Sequence, residues 1–227
     1  EVPEPHDVTE DGTRYRIHLL QGQNHGLFLD MAEGRRWVRA HVAQRAAANA
    51  ANAATRAAGG WAPSLKVLNL FAYTCALSVV ALQAGADQVL NMDMASGALA
   101  VGQQNHRLND VLKGASFLGH DIFKSWGRIN RSGPYDLVIV DPPSYQRGSF
   151  VATKDYARLI RRLPELMAPG AHALLCLNAP ELGPDFLQQQ VEQAAPSLVF
   201  VERLANPPAF DDATPERALK AMVYRVT

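Results

Sequence analysis

The pentapeptide Asp141-Pro142-Pro143-Ser144-Tyr145 puts a carboxylate, two residues without a backbone N–H and an aromatic ring directly behind the apolar run 135–140. Consecutive prolines fix φ and hold the neighbouring carbonyls in place. The expectation is a rigid group of hydrogen-bond acceptors beside a flat ring, which suits a planar substrate carrying N–H groups. A strand closed by proline and a plain surface turn would use the same residues, so other positions decide. Asp93 ends a second apolar run and stands about 20 residues beyond the loop Phe71-Ala72-Tyr73-Thr74-Cys75-Ala76, the spacing at which an acid takes a ribose diol in nucleotide-binding α/β folds. Capping the helix that begins near Ser96 is its simpler use. Asp121 follows a third run, 115–118, and is trailed by Ile122 and Phe123. That trio can accept from an adenine amino group and cover its ring.

These acids need a scaffold, and from Leu65 onward strand-like and helix-like segments alternate. Strands at 66–71, 88–93, 115–118, 137–140 and 171–177 are separated by helices at 76–84, 97–108, 156–166 and 186–193. Near-continuous apolar strands in that rhythm predict an α/β fold, a doubly wound, mainly parallel seven-stranded sheet. The last strands, 198–204 and 218–226, are joined too closely for a crossover helix and must form an antiparallel hairpin at one edge. Ligands of such sheets sit beyond the carboxyl ends of the strands, where all three acids fall. The N-terminal part reads as a small β-hairpin, with one strand after the turn Asp11-Gly12 and another at 26–30. An alanine-rich helix from Glu33 to Ala58 follows, ended by Gly59-Gly60. Residues 1–60 thus form an appendage to a core at 61–227.

The loop 71–76 lacks G-x-G-x-x-G, and no G-x-x-x-x-G-K-[ST] occurs, so no phosphate cradle is expected. An adenosine without phosphate fits, and S-adenosylmethionine is the common one. Composition narrows the partners. With 227 residues, 48% of them hydrophobic and 19% charged, the chain can bury a full core. Lys plus Arg equals Asp plus Glu at 22 each, so any nucleic-acid contact must rest on a local basic face rather than on net charge. Lys154, Arg158, Arg161 and Arg162 are candidates for it, or a solvated helix face. Two cysteines are too few for a disulfide framework or a zinc site, and His25, His106, His120 and His172 lack ligand spacing, so no metal is expected. No run has membrane-spanning length and no signal peptide is evident; the expected compartment is the cytoplasm. Asn206-Pro207-Pro208-Ala209-Phe210 repeats the Pro-Pro pattern after a later strand and reads as a plain loop or as part of a substrate mouth.

Several segments together resemble a known family. They are Gly22-Gln23-Asn24-His25-Gly26-Leu27-Phe28-Leu29-Asp30 with Arg35 and Arg36, Val67-Leu68-Asn69-Leu70-Phe71-Ala72-Tyr73-Thr74, Asn91-Met92-Asp93, residues 105–109, residues 135–145, and Pro215-Glu216-Arg217-Ala218-Leu219-Lys220. The chain resembles the class I S-adenosylmethionine-dependent methyltransferases, in particular the bacterial 23S ribosomal RNA methyltransferases that include the large-subunit cytosine-C5 and guanine-N7 enzymes. The resemblance implies that Phe71, Tyr73 and Thr74 form the cofactor loop, that Asp93 takes the ribose and that Asp121 takes the adenine. Asp141, Pro142 and Pro143 would lie between the cofactor methyl and the target base; an aromatic ring at Tyr145 is placed to stack on such a base. Phe28, Asp30 and Arg35 would close over the methionine end. RNA, ribosomal by resemblance, is the implied partner.

Three departures from the family matter. Cys75 replaces a glycine where the backbone comes closest to the cofactor, so its side chain is expected to narrow the pocket. Asn24-His25 replaces a Lys-Thr pair and removes a positive charge. Cytosine-C5 chemistry requires a cysteine thiolate, and Leu177 falls at that position while Cys176 faces the other side of its strand. A nitrogen of the base is therefore the expected target. The rivals are a small-molecule or protein substrate, or a scaffold that has lost its cofactor through Cys75.

Overall fold

The computed structural model describes residues 3–20, 24–55, 64–143, 145–146, 150–210 and 214–227. Strands β1 (His6–Glu10) and β2 (Thr13–Ile17) pair antiparallel across Asp11-Gly12, both at positive φ, as a two-residue hairpin turn demands. The partner strand therefore precedes the turn, and the expected strand at 26–30 does not form. Its backbone is tied to side chains instead: Thr74 Oγ1 donates to the Gly26 carbonyl at 2.6 Å, Tyr73 Oη to that of Asn24, and Arg35 Nη1 to that of Phe28. Leu29–Met31 then tightens into a 3₁₀ turn that leads into helix α1 (Ala32–Thr55). The expected glycine stop at Gly59-Gly60 lies outside the described residues.

The remaining elements are β3 (Lys66–Leu70), α2 (Ala76–Gln83), β4 (Gln88–Asp93), α3 (Ser96–Leu108), β5 (Ala115–Gly119), α4 (Trp126–Ser132), β6 (Tyr135–Val140), the short pair β7 (Tyr145–Gln146) and β8 (Phe150–Val151), α5 (Ala152–Ile160), α6 (Leu163–Leu166), β9 (Met167–Leu177), α7 (Pro184–Ala194), β10 (Leu198–Arg203) and β11 (Lys220–Val226). Seven strands form one sheet in the order β10-β11-β9-β6-β3-β4-β5, with β11 alone antiparallel to its neighbours. This is the doubly wound sheet with the edge hairpin that the strand rhythm demands. The expected helix 156–166 is divided because Pro164 cannot donate to the Ile160 carbonyl and its ring would strike it.

Both faces of the sheet are covered. Val38 and Val42 of α1 and Val80 of α2 pack on Val67, Leu137, Ile139 and Leu174, while Tyr156 and Leu159 of α5 and Leu187 of α7 pack on Leu68, Leu70, Val138 and Val140. The N-terminal hairpin docks on α3 through two asparagines one turn apart. Asn109 both accepts from the Arg14 N–H and donates to the Arg14 carbonyl, and Asn105 accepts from the Arg16 N–H while donating to the Thr74 carbonyl. Side-chain amides thus stand in for a neighbouring strand along the free edge of β2. Beneath the site a buried polar chain runs from Asn69 to Asn91, Ser78, His106 and the Gly102 carbonyl. His106 Nδ1 donates to that carbonyl, so its Nε2 must accept from the Ser78 hydroxyl; burial pushes the pKa of the ring down and keeps it neutral.

Candidate functional site

The carboxyl ends of β6, β3, β4 and β5 lie side by side and open into a cleft of about 460 Å³, a size that takes a small-molecule cofactor. Phe71 and Tyr73 enter it from the loop after β3, Asp93 from β4, Asp121 from beyond β5, and Asp141, Pro142 and Pro143 from beyond β6; Phe28 and Asp30 close it from the N-terminal side. Loop 71–75 is the strained part. Phe71, Tyr73 and Cys75 all adopt left-handed φ values of 58°, 47° and 61°, a conformation that costs a non-glycine residue roughly 1–2 kcal/mol and recurs at ligand sites. The Asp93 carboxylate holds the loop there: Oδ2 accepts the Tyr73 N–H at 2.8 Å and Oδ1 the Ala95 N–H at 2.8 Å. Each oxygen keeps a further lone pair for a ligand.

At the far end Asp121 Oδ1 accepts the Phe123 N–H at 2.9 Å, and Ile122 and Phe123 line the cleft beside it. The Arg158 guanidinium lies 4.5 Å over the Phe123 ring, and that of Arg162 lies 5.6 Å over Trp126. Two of the four basic residues weighed as phosphate contacts are thus stacked within the molecule. At the opposite end Asp141 stands at the floor of the cleft. Burial first, then the neighbouring Asp30 carboxylate, push it up to about 7, against the pull of Arg35 and of a hydrogen bond from the Cys176 thiol.

Two candidate residues, Arg35 and Thr74, do not line the cleft. Arg35 is buried, bidentate to Glu10 at 2.5 and 2.7 Å and bound to the Phe28 carbonyl at 2.8 Å. It clamps the hairpin and the Phe28 segment, and with Thr74 it lines a smaller adjoining pocket that shares Phe28, Phe71, Tyr73 and Asp141 with the cleft. Thr74 turns its hydroxyl to Gly26. The Tyr145 side chain lies outside the described residues. Asn206 to Phe210 follow β10 and contribute no residue to the cleft, among those described. Asn178 and Leu219 do line it; no motif marks Asn178, and Leu219 lies in the family-like segment 215–220 without being singled out by it. Register explains them: Val140 pairs with Leu175 and Lys220 with Leu177, which brings the residues after β9 and before β11 level with Pro143. The buried Lys220 ammonium fixes both segments through the Ala179 and Glu216 carbonyls.

Neither thiol lines the cleft, and both are buried. Cys176 is buried with its Sγ 4.0 Å from Met31 Sδ; burial, then the Asp141 and Asp30 carboxylates, push it well above the usual thiol range. Leu177 is buried in the opposite core. Cys75 is also raised by burial, and its side chain faces α3: a Cβ on Gly102 would sit 2.6 Å from its Sγ. The glycine missing from the loop is matched by one on the facing helix, and Cys75 is absent from the cleft lining. The expected narrowing therefore does not arise. Cys75→Gly is predicted to leave the Kd for S-adenosylhomocysteine within about threefold by calorimetry. A tenfold tightening would show that the thiol obstructs the site after all.

Four carboxylates, Asp30, Asp93, Asp121 and Asp141, line the cleft and no Lys or Arg does, among the described residues. That donor set repels phosphate and suits a ligand bearing cationic centres, a diol and a purine amine. S-adenosylmethionine, with a sulfonium, an ammonium, a ribose diol and an adenine amine, fits that set. Among the described residues no group of three His, Cys, Asp or Glu side chains could hold a metal ion, and no helix is long and apolar enough to cross a membrane.

Comparison with known proteins agrees with this chemistry. A family profile described as S-adenosylmethionine-dependent methyltransferase matches residues 1–225. The ribosomal RNA large subunit methyltransferase K/L of Psychrobacter sp. (strain PRwf-1) is 32% identical over 173 residues, covering 73% of this chain and 19% of the relative. Methyltransferase I of Serratia proteamaculans (strain 568) is 29% identical over 189 residues, covering 81% and 42%. The solved methyltransferase SMU.776, complexed with S-adenosylhomocysteine, superposes with a TM-score of 0.82 at 26% identity, over all of this chain and 57% of that one. The chain thus spans less than half of those two curated relatives.

Proposed function

Because the chain belongs to the S-adenosylmethionine-dependent methyltransferase family, we propose that it transfers a methyl group from that cofactor to a nitrogen of an RNA base, in ribosomal RNA and in the cytoplasm. The cofactor, when bound, supplies an electrophilic methyl carbon on a sulfonium. The chain's task is to orient the nucleophile and to take up the proton it sheds. The observation that carries the reading is the Asp141 carboxyl, raised to about 7 beside Asp30 at the floor of the cleft. Near neutrality such a group accepts a hydrogen bond from an N–H and then its proton. This favours an amino or imino nitrogen over a ring carbon, as do two buried thiols whose pKa values are raised.

RNA is favoured by the rim and by the relatives, whose names specify ribosomal RNA. Phe28 and Met94 line the cleft yet are 41% and 50% exposed, with Leu29 beside them at 56%. An exposed aromatic and thioether lip is a platform on which an unstacked base can lie. Both cysteines are free, consistent with a reducing compartment.

The test is incubation of the protein with methyl-labelled cofactor and protein-free ribosomal RNA, followed by nucleoside digestion and mass spectrometry. An N-methylated nucleoside is the expected product. Label in 5-methylcytidine would overturn the nitrogen target, and label confined to protein or small molecules would overturn the RNA substrate.

A further inference from the structure

We propose that an open basic groove beside the cleft is a phosphodiester subsite, which holds the backbone of the RNA a few nucleotides from the base being methylated. It rests on the RNA reading above. The groove encloses about 550 Å³ between the end of β5 and α4, and Lys124, Arg128, Arg131 and His120 line it. Asp121 lines both the groove and the cleft, so the two spaces adjoin at the end of the cleft away from Asp141. Asp121 and Asp141 follow strands three positions apart in the sheet, about 14 Å at the usual strand spacing. A nucleic-acid strand with one base over Asp141 can therefore lay its backbone in the groove.

Lys124 pairs with Asp121, but Arg128 and Arg131 have no acid partner among the described residues and are open to an anion. Asp121 is the one acid in the lining, and its carboxylate already accepts the Phe123 N–H and lies 3.7 Å from the 85% exposed Lys124. Arg128 Nη1 lies 2.8 Å from the His120 Nε2, a partner that orients the guanidinium and is not a carboxylate that would cancel its charge. Arg131 makes no ion pair among the described residues. By contrast Arg16, Arg35, Arg36 and Arg45 are each paired with an acid. In a chain of zero net charge, this leaves a local excess of positive charge against a cleft lined by four acids. The cleft takes the cationic cofactor and the groove the anionic substrate. Guanidinium groups with free N–H donors are the side chains that phosphate oxygens prefer.

The test measures binding of ribosomal RNA fragments between 50 and 300 mM salt by filter retention, for the wild type, for Arg128→Gln with Arg131→Gln, and for Lys124→Gln alone. Losing two phosphate contacts is expected to reduce the slope of log K against log salt by about 1.4. It should also raise the KM for RNA about tenfold, with kcat within twofold and S-adenosylhomocysteine affinity unchanged. Lys124→Gln should take away about half of that slope change. Variants that bind RNA with the wild-type slope would overturn the groove while leaving the RNA reading intact. A wild type without salt-dependent RNA binding would overturn the RNA reading itself. Binding of a mononucleotide 5′-phosphate that the double variant loses, with its RNA slope unchanged, would assign the groove to free phosphates and also overturn the proposal.

Discussion

Asp141→Ala lowers the methyl-transfer rate by about 100- to 1,000-fold, the range expected when a positioned proton acceptor is removed, while S-adenosylhomocysteine affinity changes by less than tenfold. In the wild type the rate rises through about pH 7 and levels off above it, because only the carboxylate can accept from an N–H. Stability runs the other way. The folded-state pKa is raised from 3.8 to about 7, so between those values the native state holds a proton that the unfolded chain has released. Stability contributed by Asp141 is therefore present below pH 4, falls as pH rises to about 7, and stays low above. Asp141→Asn should melt higher than the wild type at pH 8 and equally at pH 4. With the carboxyl partly open to the cleft, the gain is set at about 2 kcal/mol, half the full linkage value, or roughly 4–8 °C. Opposite signs for rate and stability would identify a functional compromise at this position. A flat rate profile from pH 6 to 8, or an alanine variant within fivefold of wild type, would remove Asp141 from the chemistry.

The acids were legible because buried parallel strands read as apolar runs, and a charged residue that stops such a run must lie at the sheet edge. Asp93 and Asp141 meet that condition and Asp121 follows its run by three residues, so the strand rhythm placed all three at the carboxyl edge, while their order along the cleft came from the sheet topology. What escaped depends on contacts between distant segments. Asn178 reaches the cleft through the register of three strands, which no local pattern encodes, and Leu219, though inside the family-like segment 215–220, is brought there by the same register. Arg35 lies in a motif yet turns to Glu10, 25 residues earlier. The direction of the Cys75 side chain follows from its left-handed backbone and from Gly102 on another helix. β1 was missed because His6-Asp7-Val8-Thr9-Glu10 offers one apolar side chain, and α4 because seven mixed residues are too short for a helical period.

Asp93→Ala should weaken S-adenosylhomocysteine by at least about 100-fold in calorimetry, a larger loss than a single diol contact explains. Each charge-assisted hydrogen bond is worth roughly 1.5–3 kcal/mol, and this carboxylate already makes two within the protein, to the Tyr73 and Ala95 N–H groups. Its removal deprives the ligand of an acceptor and releases the three left-handed residues at 71, 73 and 75 from the conformation that shapes the cleft wall. Asp93→Asn separates these effects. An amide offers one acceptor oxygen and presents N–H donors to the other backbone N–H, so it cannot replace both internal bonds. Asn should therefore bind nearly as weakly as Ala and melt lower than wild type, although it keeps a group able to bond a hydroxyl. If Asn instead restores affinity to within threefold of wild type, the loop does not depend on Asp93 and the carboxylate acts on the ligand alone. If Ala itself binds within threefold, the diol assignment fails and the adenosine must lie elsewhere in the cleft.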